Sequence, residues 1–197
     1  MQFKFGFLFL ITLLLYSCNT YRDGFTVYEI RENRHFCSGW RWGLSRTPYR
    51  KFEFVLDSSC VYDENLIGKA WSKIGGFTTG HTHWNSCRVG WQAENGHIAL
   101  GYYCYVGGKR IAGKMTEAMP GEVNQAELFW DKSCRSYIIR INGIEERIPQ
   151  PRNMGLYLYT YPFLGGRFKA PQNMAIRIRN LNPEAGPLWK KWFAHGL

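Results

Sequence analysis

From Phe25 onward, apolar residues recur at every second position in runs broken by glycine, proline and asparagine, and helical spacing of three and four is almost absent. Period two puts successive side chains on opposite faces of an extended strand, so a chain patterned this way must build sheets. Clear strands are predicted over 51–57, 86–92, 97–106, 126–130, 136–142, 144–148, 155–161 and 173–180. Within them Phe52, Phe54 and Leu56 share a face, as do Cys87, Val89 and Trp91, and Ile98, Leu100, Tyr102, Cys104 and Val106. Asn142-Gly143 is a hairpin signal because a type I′ turn needs positive φ at both central residues, and Gly107-Gly108 serves the same purpose between Tyr105 and Ile111. Eight to twelve short strands without βαβ alternation predict an all-β, antiparallel two-sheet β-sandwich of the jelly-roll kind.

With 197 residues the chain is long enough for one such domain, placed over 25–182. Residues 1–17 carry a short cationic start, with Lys4 as their only charge, and the apolar run Phe5 to Tyr16. That run is too short to span a bilayer and reads as a secretory signal. Leu15-Tyr16-Ser17-Cys18 ends it like the lipobox of bacterial lipoproteins, so Cys18 is the expected lipidation site; an ordinary signal peptide cut near Ser17, or an uncleaved anchor, is the alternative. Residues 18–24 read as a tether. Residues 183–197 form a tail in which Leu188, Trp189, Trp192 and Phe193 share one side of a possible short helix, suited to packing on the sandwich or lying at a lipid interface, with a disordered tail as the third reading.

Removal of 1–17 leaves 24 basic and 15 acidic residues, a formal charge of +9 against +10 for the whole chain. An extracytoplasmic address directs that charge toward anionic glycans or a surface protein and away from nucleic acid, for which the dispersed basic residues provide no motif. Five cysteines remain after Cys18, namely Cys37, Cys60, Cys87, Cys104 and Cys134; their spacing fits no zinc site, and Cys87 and Cys104 fall on core-facing phases. His81-x-His83 has two ligand-type residues but no third within sequence logic, so no metal is assigned. Asp57 and Asp63 make no calcium loop, so a structural calcium ion is left open and no cofactor is expected.

Several segments together resemble a group of lipoproteins and secreted proteins from Bacteroidota. The segments are Asn85-Ser86-Cys87-Arg88-Val89-Gly90-Trp91, the Tyr-rich strand Leu100 to Val106, and Leu156 to Gly166 followed by Ala170-Pro171. Trp71 to Phe77 and His81 to His83 look like the loop preceding the first of these in that group. The resemblance covers most of the mature chain and implies a concanavalin A-like, laminin-G type of jelly roll. It carries no activity to transfer.

Opposite the core phases stand Arg88 and Gln92, then His97, Tyr103 and Tyr105, then Tyr157, Tyr159 and Tyr161, and then Arg177. If these strands share a sheet, its outer face is a Tyr/Arg surface, on which aromatics stack against sugar rings and Arg or Gln reaches hydroxyls and carboxylates. The expectation is a glycan-binding face made of Arg88, Gln92, Tyr103, Tyr105, Tyr157, Tyr159, Tyr161 and Arg177. The alternatives are tyrosines that merely pack, an assembly lipoprotein without a small ligand, or a polysaccharide lyase using Arg88, His97, Tyr103 and Tyr159. Glycoside hydrolysis lacks its carboxylate pair: Glu145 and Glu146 are adjacent and point apart, while Glu53 and Asp57 are separated by roughly 13 Å of strand.

Overall fold

A computed structural model describes residues 23–39, 42–63, 70–152, 155–167 and 169–182. The signal segment, Cys18, the tether before residue 23 and the tail 183–197 lie outside the described residues. Twelve strands follow in order: β1 Thr26–Ile30, β2 Trp42–Ser45, β3 Tyr49–Leu56, β4 Ser72–Thr79, β5 Ser86–Glu94, β6 His97–Val106, β7 Lys109–Ala118, β8 Asn124–Asp131, β9 Ser136–Ile141, β10 Ile144–Pro149, β11 Tyr157–Thr160 and β12 Met174–Asn180. They form two six-stranded sheets. The first runs β1-β12-β3-β8-β9-β10 and the second β2-β11-β4-β5-β6-β7. Every strand pair is antiparallel, which gives the jelly-roll-like sandwich that the alternation implies.

The core lies between the sheets. Phe52, Phe54 and Leu56 of β3, Leu128 of β8, Ile139 and Ile141 of β9, and Ile176 and Ile178 of β12 meet Phe77 of β4, Cys87, Val89 and Trp91 of β5, and Ile98, Leu100 and Cys104 of β6. Each large side chain buried this way contributes about 1.5 to 3 kcal/mol of transfer free energy. Asn142 and Gly143 both adopt positive φ between β9 and β10, as the turn chemistry requires.

Strand β4 was expected as a loop. Every one of its residues is buried, so it shows no alternation to read. Its register against β5 shifts between Lys73 and Gly75, a bulge beside Gly75-Gly76. That irregularity accommodates Arg50 of β3, which is wholly buried between the sheets. One Arg50 guanidinium nitrogen donates to the Gly76 carbonyl at 3.0 Å and also to that of Thr160, and the guanidinium carbon lies 4.7 Å from the Phe52 ring centroid and 5.1 Å from those of Tyr159 and Tyr161. A Cβ on Gly75 would stand 2.9 Å from that nitrogen, so glycine is required by close approach.

Candidate active site

The outer face of the second sheet carries the site. Arg88 of β5 lies opposite Tyr103 of β6, with Tyr105 two residues further along β6. The Arg88 guanidinium carbon is 5.0 Å from the Tyr103 ring centroid and 5.8 Å from that of Tyr105, and the two tyrosine rings meet edge-on at 5.8 Å. Lys73 of β4 brings its ammonium to 4.2 Å from the Tyr103 ring centroid. Arg88 is 6% exposed and Lys73 7%. Nε and Nη2 of Arg88 are buried without a protein hydrogen-bond partner. Burial of a cation in this state is costly, which makes Arg88 a candidate contact for an anion.

Trp71 and the segment after β11 wall the site. Cβ atoms built on Gly90 and Gly101 would lie 2.9 and 2.8 Å from the Trp71 indole, which therefore lies on the cross-strand pair formed by these glycines. Lys73 and Phe163 exchange main-chain hydrogen bonds at 2.8 and 2.9 Å, and the Gly165 amide donates to Ser72 Oγ at 3.1 Å. Gly165 passes so close to the Trp71 carbonyl that a Cβ would stand 1.9 Å from it. The result is a cleft of about 330 Å³ lined by Ala70, Trp71, Lys73, Tyr103, Arg110, Ala112 and Gly166, with no carboxylate among them. On the same sheet Glu94 and Glu117 are engaged with Lys114, while Glu145 pairs with Arg140 and Arg147 and Glu53 with Arg179 on the other sheet.

This environment separates the proton affinities of its groups. Burial, reinforced by the charges of Arg88 and Arg110, lowers Lys73 to about 7, so near neutral pH a large fraction of it is free amine. Burial and the neighbouring Tyr105 hydroxyl raise Tyr103, outweighing the opposing influence of Arg88 and Arg110, and keep its hydroxyl protonated. His83 stacks edge-on against Tyr105 at 5.5 Å, and desolvation followed by Arg88, His81 and Lys73 lowers its affinity for a proton. Among the described residues no cluster of three metal-ligating side chains exists.

Of the residues expected on this face, Arg88, Tyr103 and Tyr105 come together. Gln92 shares their face, but the Trp71 indole over Gly90 and Gly101 stands between it and Arg88. His97 also shares the face, six residues from Tyr103 and roughly 20 Å away along β6, so the histidine beside the cleft is His83. Arg177 lies in β12 of the other sheet and its guanidinium is 3.9 Å from Asp23.

Tyr157, Tyr159 and Tyr161 are on the inner side, opposite to expectation. Tyr157 and Tyr159 pair with Thr79 and the core residue Phe77, while Leu158 takes the outward phase opposite Thr78. Tyr159 is 4% exposed and its hydroxyl donates to the Tyr49 carbonyl of the other sheet at 3.0 Å, while Tyr161 packs against Tyr28 of β1 at 5.4 Å. Both phases of β11 are apolar enough to be buried, and tyrosine won because its hydroxyl finds a partner across the sandwich. Tyr159→Phe is therefore expected to leave any activity within a factor of about three and to cost about 1 kcal/mol of stability, checked by chemical denaturation beside the activity assay.

Lys73 and Trp71 were missed as site residues because β4 offers no alternation. The usable signal was the run Trp71-Ser-Lys-Ile-Gly-Gly-Phe77, whose glycines are what let neighbouring side chains approach the strand.

No protein-family model matches the chain, and no curated protein matches it by sequence. Solved structures do resemble it. An alginate lyase from Pseudomonas aeruginosa superposes with a TM-score of 0.58 at 9% identity, covering 82% of each chain. An alginate lyase from Klebsiella pneumoniae gives 0.57 at 9% identity over 81% of each chain, and the alginate lyase AlyC3 gives 0.54 at 12% identity over 83% of this chain and 76% of its own. At these identities the likeness is one of fold.

Proposed function

We propose that the cleft binds a 4-linked uronic-acid polymer, the class to which alginate belongs, and cleaves it by β-elimination. The observation that carries this reading is a buried amine and a buried guanidinium, with two nitrogens lacking a protein partner, both set against the ring of Tyr103 at a cleft with no carboxylate among its described lining residues. The alginate-lyase fold of the structural neighbours supports it. Arg88 and Arg110 face the uronate carboxylate and lower the affinity of C5 for its proton. The Lys73 amine takes that proton, the electron pair becomes the C4=C5 double bond, and the C4–O bond breaks. The departing oxygen receives the Tyr103 hydroxyl proton, and the Lys73 ammonium beside the ring returns a proton to the phenolate. Atoms balance without water.

The alternative expected from sequence, glycan capture without chemistry, uses the same cations and is separated by Tyr103→Phe. If the site is a lyase, the wild-type chain forms unsaturated uronate from the polymer, and Tyr103→Phe binds the polymer within about threefold of wild type while losing about 100-fold or more in turnover. Salt-sensitive binding with no product from either protein would leave only capture.

We further read Cys18 as an acyl anchor holding the domain outside the cytoplasm, on the strength of the apolar leader ahead of it. Cys18→Ser should move the protein from the detergent-extracted fraction to the soluble one, seen by fractionation.

A further inference from the structure

We propose that Cys87 and Cys104 form a disulfide across β5 and β6 when the chain folds in the presence of a thiol–disulfide oxidant. The two residues are direct partners in the ladder, both wholly buried on the core side. The main-chain pattern tells which kind of pair they make. The Thr79 amide bonds the Asn85 carbonyl at 3.0 Å, so odd-numbered residues of this strand direct their main-chain groups toward β4. Cys87 accordingly faces Cys104 in a non-hydrogen-bonded pair, where side chains are closest and Cα atoms stand about 4.5 Å apart. That spacing lies inside the range of about 4.4 to 6.8 Å that a disulfide bridges. Each thiol lies within reach of the other.

The remaining described cysteines belong to other surroundings. Cys37 bridges to Ile30 of β1, the Cys60 thiol meets the Ala175 carbonyl at 3.5 Å, and Cys134 is exposed between β8 and β9, all beside the first sheet. In the step itself one thiolate attacks the oxidant disulfide, the second thiolate displaces it, and two protons leave with the two electrons that reduce the oxidant. Burial confines the reaction to folding, before the sheets close. The next pair in the ladder is Arg88 and Tyr103, so the bond would pin the two strands directly behind the cleft.

The test is refolding of the full chain in a mixture of oxidised and reduced glutathione, followed by alkylation under denaturing conditions and tryptic mapping. Trypsin cuts after Lys73, Arg88 and Lys109, which places Cys87 in the peptide 74–88 and Cys104 in 89–109. The expected result is a covalent 74–88/89–109 pair absent after reduction, with alkylated cysteines falling from six to four. The oxidised chain should also melt roughly 5 to 10 °C higher than the reduced one, a gap that Cys104→Val abolishes. Recovery of both peptides singly alkylated from oxidised, folded protein, or their linkage to other cysteines instead, would overturn the proposal.

Discussion

Lys73→Met is expected to lower turnover of a uronic-acid polymer by about 100- to 10,000-fold, the range for loss of a positioned general base, while the protein becomes more stable at pH 6. The two effects have one cause. Below about pH 7 the folded chain holds Lys73 as a buried ammonium, a charged form that its surroundings disfavour. Between about pH 7 and 10 the unfolded chain retains a proton that the folded chain has released, so wild-type stability contains a term rising with pH across that window. Methionine keeps the length of the side chain and removes the titration. Thermal melting from pH 6 to 10 should show the variant ahead of wild type at the acid end and its advantage shrinking as pH rises. The same free amine places the acid limb of the wild-type rate profile near pH 7.

Arg88→Met should act in parallel on binding. With Nε and Nη2 buried and lacking a protein partner, the guanidinium costs stability until an anion reaches it. Loss of such a charge-assisted contact is expected to weaken polyuronate binding about 100-fold or more and to reduce its dependence on salt. Relief of the unpaired charge should raise the melting temperature by about 2 to 5 °C, corresponding to about 1 kcal/mol in a chain of this size. Calorimetric titration at two salt concentrations, with melting of the same samples, checks both. A variant that binds as wild type would remove Arg88 from the site. This opposition of stability and binding is what the proposed anion contact should display.

The sandwich was legible because apolar and polar residue types alternate in the sequences of β3, β5, β6 and β12, even where both faces of β5 and β6 are largely buried, and because Asn142-Gly143 permits only a narrow set of turns. Alternation also gave Arg88, Tyr103 and Tyr105 their correct face. It failed where the residue types of a buried strand do not themselves separate into an apolar and a polar phase. In β4 it concealed Lys73, and in β11 it left the choice between Leu158 and Tyr159 to contacts with the opposite sheet that no local pattern encodes. The assignment of Arg177 failed for a different reason: its phase within β12 was right, but which sheet a strand joins is decided by pairing over more than a hundred residues, here with Val27 and Val55. Arg50 was invisible for the same reason, since its partners Gly76 and Thr160 come from the second sheet.

Tyrosines surround buried guanidinium groups in two places. Tyr28, Tyr159 and Tyr161 surround Arg50 inside the sandwich, where the carbonyls of Gly76 and Thr160 and the Asn180 side chain accept from its two terminal nitrogens and Nε alone lacks a protein partner. Tyr103 and Tyr105 flank Arg88 outside it, where two nitrogens lack a protein partner. The guanidinium whose terminal nitrogens bond across the sandwich ties the two sheets together, and the proposed function gives the other one an anion to meet.

Mass spectrometry of fragments released from a 4-linked polyuronate by the purified chain tests the central claim most directly. Elimination predicts oligomers whose new non-reducing ends carry a C4=C5 double bond, each lighter by one water than the corresponding hydrolysis product, and none of them formed by Lys73→Met or Tyr103→Phe. Fragments carrying the mass of an added water, or an intact polymer recovered from protein that demonstrably binds it, would contradict the account.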